Sequence, residues 1–205
     1  MSSSDFDFES SSTVAVKVKG FDMKELSAAE VKECKDIASE RVGIQVEDAK
    51  GGDARASNSY GGPSFVGSRS IEVREEDAFI GTLAEYIGSK YAKCQWSKEM
   101  GQYKGNSNSD LQVVFRKHST RCEVRGTRRD FVIYRPHQDI HKSDTLLIGI
   151  SNLPNGPTCR VGHIFFSEMK KLVDQHPEWQ GSHAGPPYYM ISFEHLSEDF
   201  SEFGA

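Results

Sequence analysis

The sequence lacks the features that mark secreted and membrane proteins. Its four cysteines, at positions 34, 94, 122 and 159, are widely spaced, whereas a disulfide framework usually has more cysteines in a shorter chain. No apolar run approaches the roughly eighteen residues that a membrane helix requires. The first twelve residues, MSSSDFDFESSS, have neither the basic start nor the apolar stretch of a secretory signal. We therefore expect reduced thiols and a cytoplasmic protein without a membrane partner.

Apolar residues are also scarce, and their distribution suggests how the chain is organised. Hydrophobic residues make up 37% of the 205 positions and charged residues 27%. The hydrophobic fraction is below the average of globular domains, but it is too high for a fully disordered chain. The length suits one domain. We predict a disordered, acidic and serine-rich tail over residues 1–12 and a single domain over 13–196. The domain would contain a flexible Gly/Ser/Asn-rich insertion at about 45–70 and be followed by an acidic tail over 197–205.

Local patterns predict an α/β domain. TVAVKVKG alternates apolar and polar residues as a half-buried strand does. Ser27 and Glu30 have the spacing of a capping box at the start of a helix, and Asp77 is the expected N-cap of a second helix that ends near Cys94. Further strands are expected at 111–115, 122–124, 131–134, 145–151 and 160–166, then a short helix in SEMKKLVDQH and a late edge strand in PPYYMISFEHL. We expect a central mixed β-sheet flanked by helices, with LLIGI covered on both faces.

The net charge of −5 is unevenly distributed along the chain. Taken as an average it argues against a nucleic-acid partner, but residues 110–142 contain only four acidic side chains and eight basic ones: Arg116, Lys117, Arg121, Arg125, Arg128, Arg129, Arg135 and Lys142. Such a basic segment between acidic ends suits a phosphate-binding face. The alternative is a solvated strand face with ordinary scatter of charge.

Three acidic residues are candidates for a metal site. Asp110 would open one strand and Glu123 would lie in the next, so a hairpin would bring their carboxylates together at one end of the sheet. Carboxylate oxygens are ligands for Mg²⁺, and a bound cation can activate water against a phosphodiester. Glu85, in a helix segment whose apolar neighbours suggest partial burial, is a candidate third ligand. The alternatives are a strand-end acid, a cross-strand ion pair and a surface helix glutamate.

The order of Glu85, Asp110, Glu123 and Arg125 resembles the PD-(D/E)XK nuclease superfamily. More closely, FIGTLAEYIGSKY, KGNSNSDL, CEVRGTRR, FVIYRP and CRVGHIFFSEM are similar to a group of small phage proteins with an E-V-R strand motif. The resemblance covers residues 14–172. It implies a restriction-endonuclease-like fold, Mg²⁺ or Mn²⁺ as cofactor, and DNA as the substrate of an endonuclease or exonuclease in the host cytoplasm.

The resemblance also implies roles for particular residues. Glu85, Asp110 and Glu123 would be catalytic metal ligands. Arg125 stands where the superfamily has a catalytic lysine, and arginine can stabilise charge there but cannot act as a base; Lys104 is a candidate for the missing lysine. The expected nucleic-acid contacts are Lys104, Arg116, Lys117, Arg121, Arg128, Arg129 and Arg135.

The absence of the lysine leaves two other functions open. One is a nuclease-fold module without catalysis that binds DNA or docks onto a phage or host protein or a second copy of itself. The other is a virion or host-takeover component whose acidic termini engage a basic partner.

Overall fold

The structure, a computed structural model, describes residues 20–50, 70–96, 110–181 and 186–204, and the side chains of 44–50 are not included. The expected N-terminal tail, most of the TVAVKVKG strand, most of the Gly/Ser/Asn-rich insertion and Lys104 lie outside these residues. Within the described residues, no helix is both long and apolar enough to cross a membrane.

Helix α1 spans Ala28–Lys50 and begins with the predicted capping box. The Ser27 hydroxyl accepts the Glu30 N–H at 3.2 Å, and the Glu30 carboxylate accepts the Ser27 N–H at 2.6 Å. These two bonds satisfy donors that a helix N-terminus otherwise leaves unpaired. The helix continues to Lys50, so the boundary predicted near residue 45 is wrong by about one and a half turns.

Helix α2 spans Ile71–Tyr91 and begins earlier than predicted. Its N-cap is Ser70, whose hydroxyl accepts the Val73 N–H at 3.4 Å. Asp77 lies inside the helix and pairs with Arg128 at 3.0 Å. The prediction missed the first turns because Ile71 and Val73 are exposed, so the buried stripe that marks the helix in the sequence starts later.

The central sheet has four strands in the order β2-β3-β5-β7. They are β2 Leu111–Phe115, β3 His118–Gly126, β5 Leu146–Ile150 and β7 Val161–Phe165. Strands β3 and β5 are parallel and the other pairs antiparallel, so the predicted mixed sheet is confirmed. Every residue of β5 is buried, as expected for LLIGI.

Two short strand pairs flank this sheet. Strand β1, Phe21–Asp22, pairs with β6, Thr158–Cys159. Strand β4, Phe131–Tyr134, pairs with β8, Tyr189–Ser192. The late strand predicted in PPYYMISFEHL is therefore present, but it forms a separate two-stranded sheet with β4.

Each face of the central sheet has its own hydrophobic core. Helices α1 and α2 pack on one face, where Leu83, Cys122 and Ile148 belong to the same buried cluster. The opposite face carries Leu147 and a second cluster built by β4, β8 and helix α4, which spans Phe166–Gln175. The short helix α3, Pro136–Asp139, precedes β5. The chain is thus an α/β protein with helices around a central mixed sheet.

The acidic C-terminal residues pack against the sheet. Phe203 is fully buried, and the Gly204 N–H donates to the Val114 carbonyl at 2.9 Å. The four cysteines are free, and burial raises the pKa of the Cys34 and Cys159 thiols to about 11.

A glycine sets the distance between β3 and α2. A Cβ atom on Gly126 would lie 2.8 Å from the Ile80 carbonyl oxygen and 2.9 Å from the Ala84 Cβ. Because nothing larger than hydrogen fits there, β3 lies directly against the helix turn that precedes Glu85.

Candidate functional site

The β2–β3 hairpin brings two of the predicted acids together. Leu111 is opposite Cys122, so Asp110 and Glu123 are the next residues outward on the two strands. The Asp110 carboxylate accepts the Val124 N–H at 2.7 Å, which fixes it against β3. Asp110 and Glu123 are therefore neighbours where β2 begins, beside the middle of β3.

The Asp110 carboxyl group is in an unfavourable place for a negative charge. Desolvation, followed by the charge of Glu85 and then that of Glu123, raises its pKa to about 7, against the opposing effects of the Val124 N–H and Arg41. The residue as a whole is exposed to solvent, although many protein atoms surround its carboxyl group. All three predicted carboxylates therefore lie close enough to interact electrostatically.

Glu85 is held by a cation from helix α1. Its two carboxylate oxygens accept from Arg41 Nη1 at 2.8 Å and Nη2 at 2.7 Å, and Nη1 also donates to the Thr82 hydroxyl at 3.1 Å. The two charged side chains are only 18% and 15% exposed. Glu85 thus joins α1 to α2 through a bidentate ion pair, and its role as a metal ligand stays a prediction.

Glu123 belongs to a group of four charged side chains, Glu123, Arg125, Asp139 and Lys142, which we name the buried charge network. Arg125 donates to Glu123 Oε1 through Nη2 at 2.8 Å and Nε at 3.0 Å, and Lys142 Nζ donates to Oε2. Arg125 also donates to the Asp139 carboxylate at 2.8 Å and to the Ile133 carbonyl. Its guanidinium is thus engaged inside the protein, and its role as a transition-state clamp stays a prediction.

Asp139 and Lys142 were not predicted as site residues. The Asp139 side chain is 1% exposed; one oxygen faces Arg125 and lies 3.2 Å from Lys142 Nζ, and the other accepts the Arg135 N–H at 3.0 Å. Burial opposes ionisation of Asp139, but Arg125, the Arg135 N–H and Lys142 together outweigh it and lower the pKa of Asp139. Asp139 ends the short helix Pro136–Asp139 and Lys142 follows it, so the three-residue spacing of this pair was its only signal in the sequence.

An aromatic ring supports the two cations of the network. The Arg125 guanidinium lies 5.3 Å and the Lys142 ammonium 5.6 Å from the centre of the Phe166 ring. Burial opposes the charge on Arg125, but Glu123 and Asp139 raise its pKa above the usual value. The network therefore has two negative and two positive charges beside Asp110.

The structure separates the predicted nucleic-acid contacts into two groups. Arg116 pairs with Glu202 at 2.7 Å, and Arg128 pairs with Asp77 at 3.0 Å and with Glu76 at 3.2 Å. The other four that the structure describes are exposed and form no ion pair with a described carboxylate: Lys117, Arg121, Arg129 and Arg135. Arg129 lies over the Phe131 ring at 5.5 Å.

Two of the predicted acids offer the donor atoms that a divalent cation requires. In the described part of the chain, no three His, Cys, Asp or Glu side chains are close enough to hold a metal ion together. Asp110 and Glu123 remain as a pair of hard oxygen donors. Mg²⁺ is commonly bound through one or two carboxylates, with water and phosphate as its other ligands. The donor chemistry therefore fits Mg²⁺ or Mn²⁺ at these two acids.

Comparison with known proteins does not add a relative. The chain matches no family model, no curated protein and no solved structure. Its function must therefore be argued from the site itself.

Proposed function

We propose that the protein is a metal-dependent phosphodiesterase that hydrolyses the DNA backbone at Asp110 and Glu123. The observation that carries the proposal is the hairpin register, which makes Asp110 and Glu123 neighbours across β2 and β3 and leaves the Asp110 carboxylate fixed by the Val124 N–H. Desolvation, followed by the charges of Glu85 and Glu123, raises the pKa of Asp110 to about 7. A cation bound beside it would turn this unfavourable position into a favourable one. Perturbed titratable groups of this kind are typical of functional sites.

The cation would be Mg²⁺ or Mn²⁺, with Asp110 and Glu123 as its protein ligands. When bound, it supplies activation of water and neutralises charge on the phosphate. Asp110 is oriented for this by the Val124 N–H, which holds one carboxylate oxygen at 2.7 Å. Glu123 is oriented by Arg125, which holds its Oε1 atom.

Lys142 is the residue best suited to the role of the lysine that the PD-(D/E)XK pattern leads one to expect. Arg125 occupies the expected position, but Glu123, Asp139 and the Ile133 carbonyl engage it. Lys142 reaches Glu123 from the loop before β5, and its side chain is 33% exposed. Its ammonium can therefore interact with both Glu123 and a phosphate group, stabilising negative charge in the reaction.

The test is hydrolysis of plasmid, linear duplex and single-stranded DNA in Mg²⁺ or Mn²⁺. We expect Asp110→Asn and Glu123→Gln each to abolish cleavage, and Lys142→Gln to lower it by about 10²-fold or more. Asp174→Asn is the matched control, because it removes a carboxylate that is 61% exposed on α4. Cleavage that survives Asp110→Asn would come from a contaminant and would end the proposal.

A second candidate is a nuclease-like module that binds DNA without hydrolysing it. The observation that favours it is that cations of the chain already neutralise two of the three acids. Arg41 holds both oxygens of Glu85, and Arg125 and Lys142 hold those of Glu123. Titration calorimetry separates the two candidates. Heat of Mn²⁺ binding that disappears in Asp110→Asn supports the enzyme, whereas DNA binding without any metal binding supports the module.

A further inference from the structure

Among the residues that the structure describes, none covers one face of the β2–β3 hairpin. Along β2 and β3 the residues alternate, and one set points into the core beneath α2. The opposite set is exposed: Gln112, Val114, Ser119 and Arg121. Helix α4 contacts β7, the strand at the opposite edge of the sheet. We call these four side chains, together with Lys117 in the turn, the hairpin face.

The hairpin face continues into the proposed site. Arg121 and Glu123 are two residues apart on β3 and therefore point to the same side of the sheet, about 7 Å apart along the strand. Gln112 is opposite Arg121 in the register, and its amide donates to the Ser119 hydroxyl at 2.6 Å. A ligand lying along this face would reach Glu123 directly.

The charge of the hairpin face is positive although the whole chain has a net charge of −5. Arg121 and Lys117 are exposed and pair with no described carboxylate. Of the acids beside the hairpin, Glu123 is paired with Arg125 and Lys142, Glu202 is paired with Arg116, and Asp110 accepts the Val124 N–H. The face is therefore complementary to a polyanion.

The turn also presents its cations at a conformational cost. Arg116 and Lys117 have φ values of 48° and 66°, a left-handed conformation that two-residue hairpin turns normally give to Gly, Asn or Asp. Non-glycine residues held in this backbone conformation store strain of a kind that is often found at functional sites. Here the strained turn holds Lys117 at the end of the hairpin face.

The residue types distinguish between forms of nucleic acid. Sites for single strands rely on aromatic rings on which bases stack, and none of the five residues of the hairpin face is aromatic. Arg, Lys, Ser and Gln side chains are instead those that contact phosphate and sugar in duplexes. A surface on which four of the five side chains are polar or basic suits the outside of a double helix.

We infer that the hairpin face binds the phosphodiester backbone of a nucleic-acid duplex and leads it to Asp110 and Glu123. The inference rests on the proposed function, for which it names the substrate class. Arg121 and Lys117 make the charged contacts, and Gln112 and Ser119 make neutral ones. Arg116 and Arg128 are instead paired at the surface, Arg116 with Glu202 and Arg128 with Glu76 and Asp77, so acidic neighbours already compensate their charges.

The experiment measures binding by fluorescence anisotropy with a labelled 20-base-pair DNA duplex and with one of its strands, in EDTA so that hydrolysis does not interfere. It compares wild type, Lys117→Gln/Arg121→Gln and the matched control Arg116→Gln/Arg128→Gln, which removes the same charge. We expect the first double variant to bind the duplex at least about tenfold more weakly at 0.1 M salt, with a salt-dependence slope smaller by about 1.8. We expect the control to bind within about twofold of wild type and the single strand to bind wild type more weakly than the duplex.

Equal weakening in both double variants, no duplex binding by wild type, or tighter binding of the single strand would each overturn the inference. If the substitution in the strained turn impairs folding, Arg121→Gln alone replaces the double variant, with an expected slope change of about 0.9. A different result would refute the proposed function without refuting the role of the hairpin face. A wild-type protein that binds duplexes through the hairpin face and hydrolyses none refutes the phosphodiesterase and leaves this surface standing.

Discussion

Replacing Asp139 by asparagine tests whether the buried charge network stabilises the fold. The substitution keeps the shape of the side chain and removes its charge, where one oxygen lies 2.8 Å from Arg125 Nη2 and 3.2 Å from Lys142 Nζ. The side chain is 1% exposed, so water cannot replace the lost interaction.

The expected loss of stability depends on the hydrogen bonds that Arg125 keeps in the variant. Breaking a buried ion pair by removing one partner costs about 3–5 kcal/mol, and a hydrogen bond to a charged group contributes about 1.5–3 kcal/mol. Arg125 retains Glu123 and the Ile133 carbonyl. We therefore expect Asp139→Asn to lower the free energy of unfolding by about 2–3 kcal/mol, which is close to the range for a hydrogen bond to a charged group.

The assay is urea unfolding followed by far-ultraviolet circular dichroism at pH 7. With a slope of about 2–3 kcal/mol per M, the midpoint should fall by about 1 M. The matched control is again Asp174→Asn, whose pair with Lys170 is exposed and for which we expect no resolvable shift. Equal midpoints for the two variants would refute the reasoning.

The pH dependence of the difference in unfolding free energy between wild type and Asp139→Asn tests whether the difference is electrostatic. Burial opposes the ionisation of Asp139, but Arg125 lowers the pKa of the folded state below the ordinary value of 3.8. A group with a lowered pKa stabilises the fold above its unfolded pKa and loses that contribution as the pH falls through its folded pKa. The gap between wild type and Asp139→Asn should be constant from pH 5 to 8 and narrow below about pH 4. A gap that stays the same at pH 3 would show that it is not due to the charge.

Two further predictions concern Asp110 and Gly126. Desolvation, and then Glu85, raise the pKa of Asp110 to about 7, so ionisation of Asp110 destabilises the fold as the pH rises from about 4 to 7. Asp110→Asn should therefore raise the melting temperature at pH 8 but not at pH 4. An equal change in melting temperature at both pH values would contradict the raised pKa. Gly126→Ala should lower the free energy of unfolding by about 1–3 kcal/mol in urea, because its Cβ would lie 2.8 Å from the Ile80 carbonyl oxygen. Gly81 lies in helix α2, and a Cβ there would have nothing within 4 Å, so Gly81→Ala should raise the free energy of unfolding. A lower free energy of unfolding in both variants would contradict the steric argument.

The sequence predicted those parts of the fold that depend on neighbours along the chain. The capping box at Ser27, the hairpin between β2 and β3 and the doubly buried β5 each follow from a spacing of a few residues. The start of α2 was wrong because its exposed first turns carry no buried stripe, so the Ser70 cap was overlooked. The nearness of Asp110 and Glu123 was predictable because hairpin register fixes it.

By itself, the sequence determined a mixed α/β fold and a basic hairpin with two acids at one end. Only the tertiary structure decided which charges are engaged, because the partners are distant along the chain: Arg41 reaches Glu85 across 44 residues and Lys142 reaches Glu123 across 19. Ion pairs form between whichever groups packing brings within a few ångströms, and the choice depends on the whole fold rather than on spacing. That choice leaves Asp110 as the crowded carboxyl group and Arg121 and Lys117 as the cations facing outward.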